Sequence, residues 1–382
     1  MQHRHAWAAA VVLLMLTTTA LLPGPRVADA QGDRLARYIA DLSSADPQIR
    51  INAVRELGGL AIWEVVEPLM PLLADPDETV RRETRDALEQ VGEDAVPALM
   101  GGLTADDAAT RAGCAEVLGR LDYLEDDRFE PALLPLLKDP DVEVRLETSA
   151  ALGRVGDIAS LEPLKETLAD ADPSVRIEAA ASLARLGDGG GFEVLLGGVV
   201  SPDARLRARV VEPLSWIGTP PALQAIRDLT ADPDREVRGA AYQALLSSGT
   251  PTAVQAGLEG LKDPAWQVRS HLAHIAGVMQ VRATADPLLD LLAHDESPTV
   301  RVCAAMALAN LKDTRAVPEL LKLLDSRSEM ERAGGASALG LLRVKEAAPK
   351  LTELLEDEAP EVRRSARLAL LSILEECPDC PK

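Results

Sequence analysis

One arginine recurs along the chain at nearly constant spacing: Arg50, Arg81, Arg111, Arg145, Arg176, Arg207, Arg238, Arg269, Arg301, Arg332 and Arg363. Nine of the ten intervals are 30 to 32 residues, and the tenth, between Arg111 and Arg145, is 34. A fixed period of this length marks a repeat architecture, in which each repeat buries its apolar face only against its neighbours. Four residues before the arginines stand Asp46, Asp77, Asp107, Asp141, Asp172, Asp203, Asp234, Ala265, Ser297, Ser328 and Ala359. Nine of these eleven are Asp or Ser, which favour a helix N-cap, so a helix is expected to start there in every repeat. Pro47, Pro173, Pro202 and Pro298 cluster at the same junctions, where a first-turn proline costs no hydrogen bond.

Seven residues after the arginine comes leucine in ten repeats, from Leu57 to Leu370, with Ala276 in the remaining one. Small residues dominate three and four positions after the arginine, as in Ala179-Ala180 and Ala304-Ala305, and valine usually precedes it. At 100° per residue these offsets share one helical face, which must be buried. A second apolar pattern precedes each junction, as in Val317 to Leu324, and a glycine such as Gly156 or Gly187 ends the earlier helix. Each repeat therefore reads as a hairpin of two short helices. Aromatic residues make up only 2% of the chain, and the remaining Leu, Ala and Val suit close-packed helices. The expected fold is all-α, a right-handed α-solenoid of about eleven hairpins. The long Arg111 to Arg145 interval is expected to place its extra residues at Asp122 to Glu130, as a protruding acidic loop carrying Tyr123 and Phe129.

The segments Asp139-Pro140-Asp141-Val142-Glu143-Val144-Arg145 and Leu311-Lys312-Asp313-Thr314-Arg315-Ala316-Val317-Pro318 resemble the short HEAT-like repeats named after phycobiliprotein lyases. The resemblance runs over about residues 34 to 376. It implies that the arginines form a structural ladder between successive hairpins and that the second helix of each hairpin lines a concave face. Iron-binding enzymes of the deoxyhypusine hydroxylase type share the fold and use repeated His-Glu pairs. No His-Glu dipeptide occurs here. The phycobilin lyases act on pigment proteins in a cytoplasm, which conflicts with the export signal described next, so their activity is not carried over.

Residues 1 to 30 read as a cleaved secretory signal: Arg4 in the n-region, an apolar run from Ala6 to Leu22, and Ala28-Asp29-Ala30 before the cleavage point. The domain layout is then a signal at 1–30, the repeats at 31–376 and a short tail at 377–382. An exported, periplasmic or secreted chain is expected, with no membrane span after cleavage. The net charge is −21, so a nucleic-acid partner is not expected. No nucleotide loop or other cofactor motif is present, and no cofactor is expected.

Residues two, five and nine after each arginine lie opposite the buried face and, by the resemblance, form the concave ridge. In repeats two to six this ridge carries Glu83, Asp86, Glu116, Arg120, Glu147, Arg154, Glu178, Arg185, Arg209 and Glu212. From repeat seven onward it is neutral, with Ala240, Gln243, Ser247, His271, His274, Val278, Cys303, Met306, Asn310, Gly334, Ser337, Leu341 and Leu368 among its residues. A neutral ridge is not needed for solubility, so Ala240, Gln243, His271, His274, Asn310, Gly334 and Ser337 are the expected partner-binding residues for a protein or peptide. His271, His274, Cys303 and Met306 share one stretch of it and are candidate ligands for a soft metal such as copper or zinc. Cys377 and Cys380 are expected to form a local disulfide in an oxidising compartment. The leading expectation is a non-enzymatic adaptor binding proteins through its concave face. The alternative is a metal-binding or lyase-like enzyme using the His/Cys/Met patch.

Overall fold

The computed structural model describes residues 25–374. Cys377 and Cys380 lie outside them, as does most of the expected signal segment, and a helix at Pro25–Asp41 crosses the expected cleavage point. Among the described residues there is no strand. No helix among them is long and apolar enough to cross a membrane. Whereas the even spacing implies one continuous stack, the fold divides into two compact units, one ending at Asp157 and one beginning at Ile158. Each is a solenoid of helical hairpins.

Every recurring arginine sits within the first two turns of a helix, as in Pro47–Gly58, Glu78–Val91, Arg235–Ser247 and Pro298–Asn310. These are the inner helices. Seven begin with an aspartate that accepts a backbone N–H two or three residues on, at 2.7–2.8 Å for Asp46, Asp107, Asp172 and Asp234. Ser297 and Ser328 make no such bond, so the expected nine side-chain caps reduce to seven. The inner helix of the sixth repeat is broken into Ala204–Arg209 and Val211–Ile217. Pro213 lies just past the break, and with no N–H it cannot bond the Arg209 carbonyl four residues back.

The recurring leucines make the core: Leu57, Leu88, Leu118, Leu152, Leu183, Leu214, Leu245, Leu308 and Leu339 are completely buried, as is Ala276. Glycines let the inner helices close up. A Cβ on Gly277 would sit 2.5 Å from Ala307 Cα, and one on Gly58 would sit 2.6 Å from Ala87 Cβ. The expected loop at 122–130 is only half realised. Tyr123 is exposed, but Phe129 is buried at the start of a helix, Phe129–Leu133. A large aromatic ring gains from burial while its acidic neighbours keep their hydration at the surface, so the ring turns into the core and the carboxylates stay outside.

The arginine ladder has a specific chemistry. In Arg238, Nη1 donates to the Asp232 carbonyl of its own junction at 2.9 Å, while Nε and Nη2 clasp Asp263 of the next repeat at 2.8 and 2.9 Å. Asp263 Oδ1 also accepts the Ala265 N–H at 2.8 Å. The same two-pronged pair joins Arg50 to Asp75, Arg111 to Asp139, Arg207 to Asp232, Arg269 to Asp295 and Arg332 to Asp357. The carboxylate always lies six residues before the next arginine. Where that position is Ser326, Arg301 turns to Glu331, at 2.6 Å, and the Ser326 hydroxyl donates to the same carboxylate. Glu331 stands where seven other repeats have valine and is only 5% exposed, so the exchange at two positions restores one rung.

Among the described residues, Arg81 and Arg176 are followed by a repeat but meet no carboxylate in it. Arg81 faces a repeat with Ala105 at the carboxylate position and pairs with Glu78 of its own helix. Arg176 faces Ser201 and, among the described residues, bonds the Asp170 and Ala171 carbonyls, at 2.7 and 3.0 Å, with no carboxylate. Ser201→Asp should complete the rung at Arg176 and raise stability in urea unfolding by up to about 1 kcal/mol, the range of a partly solvated pair. An unchanged midpoint would show that Arg176 does not reach this position.

The rungs also set an acid limit. Burial pushes the Asp263 carboxyl up, but the Arg238 guanidinium and the Ala265 N–H outweigh it and hold the group below the usual aspartate range. Asp139, Asp232 and Asp357 are held low chiefly by their arginine hydrogen bonds. A depressed carboxyl stabilises the fold above its unfolded value, about 3.9, and that stabilisation fades as pH falls through the lower folded value. Asp263→Asn should therefore be less stable than wild type at neutral pH, with the gap closing below about pH 4. A gap that stays constant down to about pH 2 would mean the Asp263 charge contributes nothing.

Candidate functional site on the inner-helix ridge

Positions two, five and nine after each arginine project from the inner helices on the side away from the core. In the N-terminal unit most charges there pair from repeat to repeat, while Arg154 is exposed without an ion pair among the described residues. Arg55 grips Glu83 with two bonds of 2.7 and 2.6 Å, and Arg85 Nε lies 2.7 Å from Glu116. Arg120 reaches back to Asp86 at 2.7 Å and to Glu89 at 3.2 Å, and also meets Glu116. The hydrogen bonds from Arg55 hold the Glu83 carboxyl below its ordinary value.

The C-terminal unit carries one further pair of this kind, Arg209 to Glu178 at 2.7 Å. Beyond it the ridge changes. Arg185 lays its guanidinium over Trp216, 4.6 Å from the ring centre, and Trp216 is 39% exposed. Trp216 occupies the ninth position after Arg207 and belongs to the ridge, though sequence reasoning passed over it; the offset itself was the signal. Next to it a cavity of about 670 Å³ opens between two inner helices, lined by Glu212, Trp216, Ala240, Gln243, Ala244 and Ser247 among others. Gln243 then bonds His271, Oε1 to Nε2 at 2.7 Å. Further along, Val278, Leu341 and Leu368 stand exposed at ridge offsets.

The expected partner-binding residues are thus distributed unevenly. Ala240 is half-buried in the cavity wall, and Gln243 and His271 are tied together. His274 and Asn310 are exposed, and Ser337 is half-buried. Gly334 is a correction. It lies against the neighbouring helix, where a Cβ would sit 2.7 Å from Val302 Cγ1, so it serves close packing rather than an open surface.

The four candidate metal ligands do not make a convergent set. Partial desolvation, followed by the charge of His274, holds the His271 imidazole below its usual value, and its Nε2 is engaged by Gln243. Cys303 and Met306 are half-buried and pack against the apolar core, and burial pushes the Cys303 thiol up. Among the described residues no group of three or more His, Cys, Asp or Glu side chains could hold a metal ion. An offset rule puts side chains on one face of a helix but does not bring them within bonding distance of each other.

The family model for HEAT repeats matches residues 36–119, 96–184, 161–246, 229–301, 254–334 and 285–372. The chain belongs to the HEAT-repeat family. No curated protein matches it. Among solved structures, this HEAT-repeat chain is similar to the CpcE–CpcF complex of phycocyanin lyase from a Nostoc species, at 24% identity and a TM-score of 0.43, covering 58% of this chain and 91% of that one. YibA of Escherichia coli is similar at 21% identity and a TM-score of 0.46, covering 70% and 99%. Human deoxyhypusine hydroxylase is similar at 24% identity and a TM-score of 0.31, covering 84% and 100%. At these identities each likeness speaks to fold alone. The expectation of a non-enzymatic chain is nevertheless corrected: a protein of similar fold is a phycocyanin lyase, so the HEAT-repeat fold gives no ground for excluding catalysis.

The Gly334 contact has a measurable consequence. Gly334→Glu should lower stability in urea unfolding by about 1–2 kcal/mol, because the β-branched Val302 has little rotamer freedom to move aside. Unchanged stability would place Gly334 back on the open ridge.

Proposed function

We propose that this HEAT-repeat chain is exported and works as an adaptor that holds a segment of a partner protein along the inner-helix ridge of its C-terminal unit. The observation that carries this reading is the contrast between the two parts of the ridge. Most ridge charges of the N-terminal unit are engaged in pairs between repeats, Arg154 being unpaired among the described residues, whereas in the C-terminal unit Val278, Leu341 and Leu368 are 60%, 54% and 55% exposed at the same offsets. Exposed apolar side chains repeated on one face cost solubility and mark a surface that is covered in use. The signal-like residues 1–30 support export, and the HEAT repeat supports protein recognition as the mode of action.

A Val278→Glu, Leu341→Glu double variant tests this. Both side chains are exposed, so stability should stay within about 0.5 kcal/mol of wild type. Affinity purification of the tagged full chain from cells making it should lose partners that wild type retains. An identical partner set from both proteins would show that the ridge is not the reading surface. Fractionation of the same cells checks export: the mature chain is expected outside the cytoplasm, and a cytoplasmic, unprocessed chain would overturn that part.

A further inference from the structure

The cavity beside Trp216 carries a ridge carboxylate that meets no arginine among the described residues. Glu83, Asp86, Glu116 and Glu178 all meet arginines of neighbouring repeats. Glu212 is exposed on the same ridge and has no ion pair among the described residues. Its carboxylate lines the cavity together with the Trp216 ring, the Gln243 amide and the small side chains of Ala240 and Ala244. Trp216 stands between two repeats. Arg185 comes from the preceding one and lies over the ring, and the cavity wall of Ala240 and Gln243 comes from the following one.

A carboxylate next to an indole ring is complementary to an extended cation. Arg or Lys can lay its methylenes and charge on the ring while its head pairs with the carboxylate, and each interaction gains when water is excluded. Arg185 shows that the indole of Trp216 accepts a guanidinium. The net charge of −21 steers a basic segment toward the chain and an acidic one away. The cavity is large enough for side chains of a peptide but has open, small-residue walls, which favours a segment laid across it over an enclosed small molecule. We infer that this cavity is the docking subsite for a lysine or arginine side chain of the partner, with Glu212 as counter-charge and Trp216 as platform. The inference rests on the ridge-binding reading and adds the chemistry of what is bound.

The test uses the full mature chain and a short, end-capped fluorescent peptide with two lysines among alanines and serines, beside versions with glutamine or glutamate in place of both lysines. Anisotropy titration should give tighter binding for the lysine peptide than for the other two. Glu212→Gln should weaken the lysine peptide by at least about five-fold and abolish the preference over glutamine. Trp216→Leu, which keeps an apolar side chain at the site, should weaken it as well. Glu193→Gln changes net charge by the same amount on the outer helix Phe192–Val199 and should leave binding unchanged. If Glu193→Gln weakens the peptide as much as Glu212→Gln, general attraction to an acidic protein explains the binding and the inference falls. Equal binding of lysine and glutamine peptides, both lost in Trp216→Leu, would overturn the basic chemistry while sustaining the ridge. Tighter binding of the glutamate peptide would overturn it in favour of Arg185. Absence of binding by all three would overturn the subsite and leave the ridge to the Val278 and Leu341 experiment.

Discussion

A guanidinium that bonds in two directions at once holds successive repeats in register. Each rung aspartate is gripped twice: its carboxylate by the arginine of the preceding repeat, and its carbonyl by the arginine of its own. Asp263 shows both, with Arg238 on the carboxylate and Arg269 Nη1 on the carbonyl at 2.8 Å. Its Oδ1 further accepts the N–H of Ala265, so the junction backbone, the next helix start and the previous repeat are fixed by one side chain. Lysine could not replace the arginine here, since a point charge with three donors on one atom cannot serve a carbonyl and a carboxylate in a fixed plane. The pairs are largely withdrawn from water, so desolvation offsets much of their attraction, and their main effect is on geometry: they select one spacing between hairpins.

That division of labour explains which departures the chain tolerates. Buried leucine and alanine supply the cohesive energy between repeats, and a stack is close to a sum of nearest-neighbour terms. A missing rung at Arg81 or Arg176 therefore weakens one interface without propagating. The exchange at Arg301 is more instructive, because a buried glutamate at the valine position would be costly alone. Glu331 is acceptable only with Arg301 and the Ser326 hydroxyl both bonded to it. The serine and the glutamate are thus one change at two positions.

Period, caps and core face were legible in the sequence because each is a local, repeated pattern: the aspartate before the helix, the arginine in its first two turns, the leucine seven residues on. The rung was less so. Its carboxylate lies 25 residues beyond Arg50, Arg207, Arg238 and Arg332, in the next hairpin, and reading each repeat by itself assigns that aspartate to a turn. The ridge was legible in direction but not in contact. Offsets of two, five and nine residues put Glu212, Gln243, His271 and Leu341 on the correct side, yet they carry no information on distance. Gly334 fell within the same offsets and proved to be a packing residue, because the helix beside it approaches closely enough for Val302 to claim the space. Phe129 was misplaced for a related reason: an acidic context reads as loop, while the ring itself is pulled into the core.

A ridge built from repeats has a default state, in which each charge finds its opposite one repeat away, and function is to be sought where the default lapses. Arg55 with Glu83, Arg120 with Asp86 and Arg209 with Glu178 show the default; such pairs present little net field and no unsatisfied donor to a partner. It lapses at the exposed Arg154, and again at Glu212 and Arg185, two opposite charges on adjacent repeats that do not pair, the Trp216 indole taking the arginine instead. Replacing one ion pair by a cation–π contact thus releases a carboxylate without leaving the cation unpartnered. The aromatic side chain costs little in a chain with few aromatics, yet it converts a closed charge pattern into an open one beside a cavity. Downstream the ridge has lost its charges altogether, so the released carboxylate stands at the border between a self-satisfied surface and an apolar one. A segment that carries a cation followed by apolar side chains would match both sides of that border in one direction of travel only, which gives the ridge a polarity that neither half has by itself.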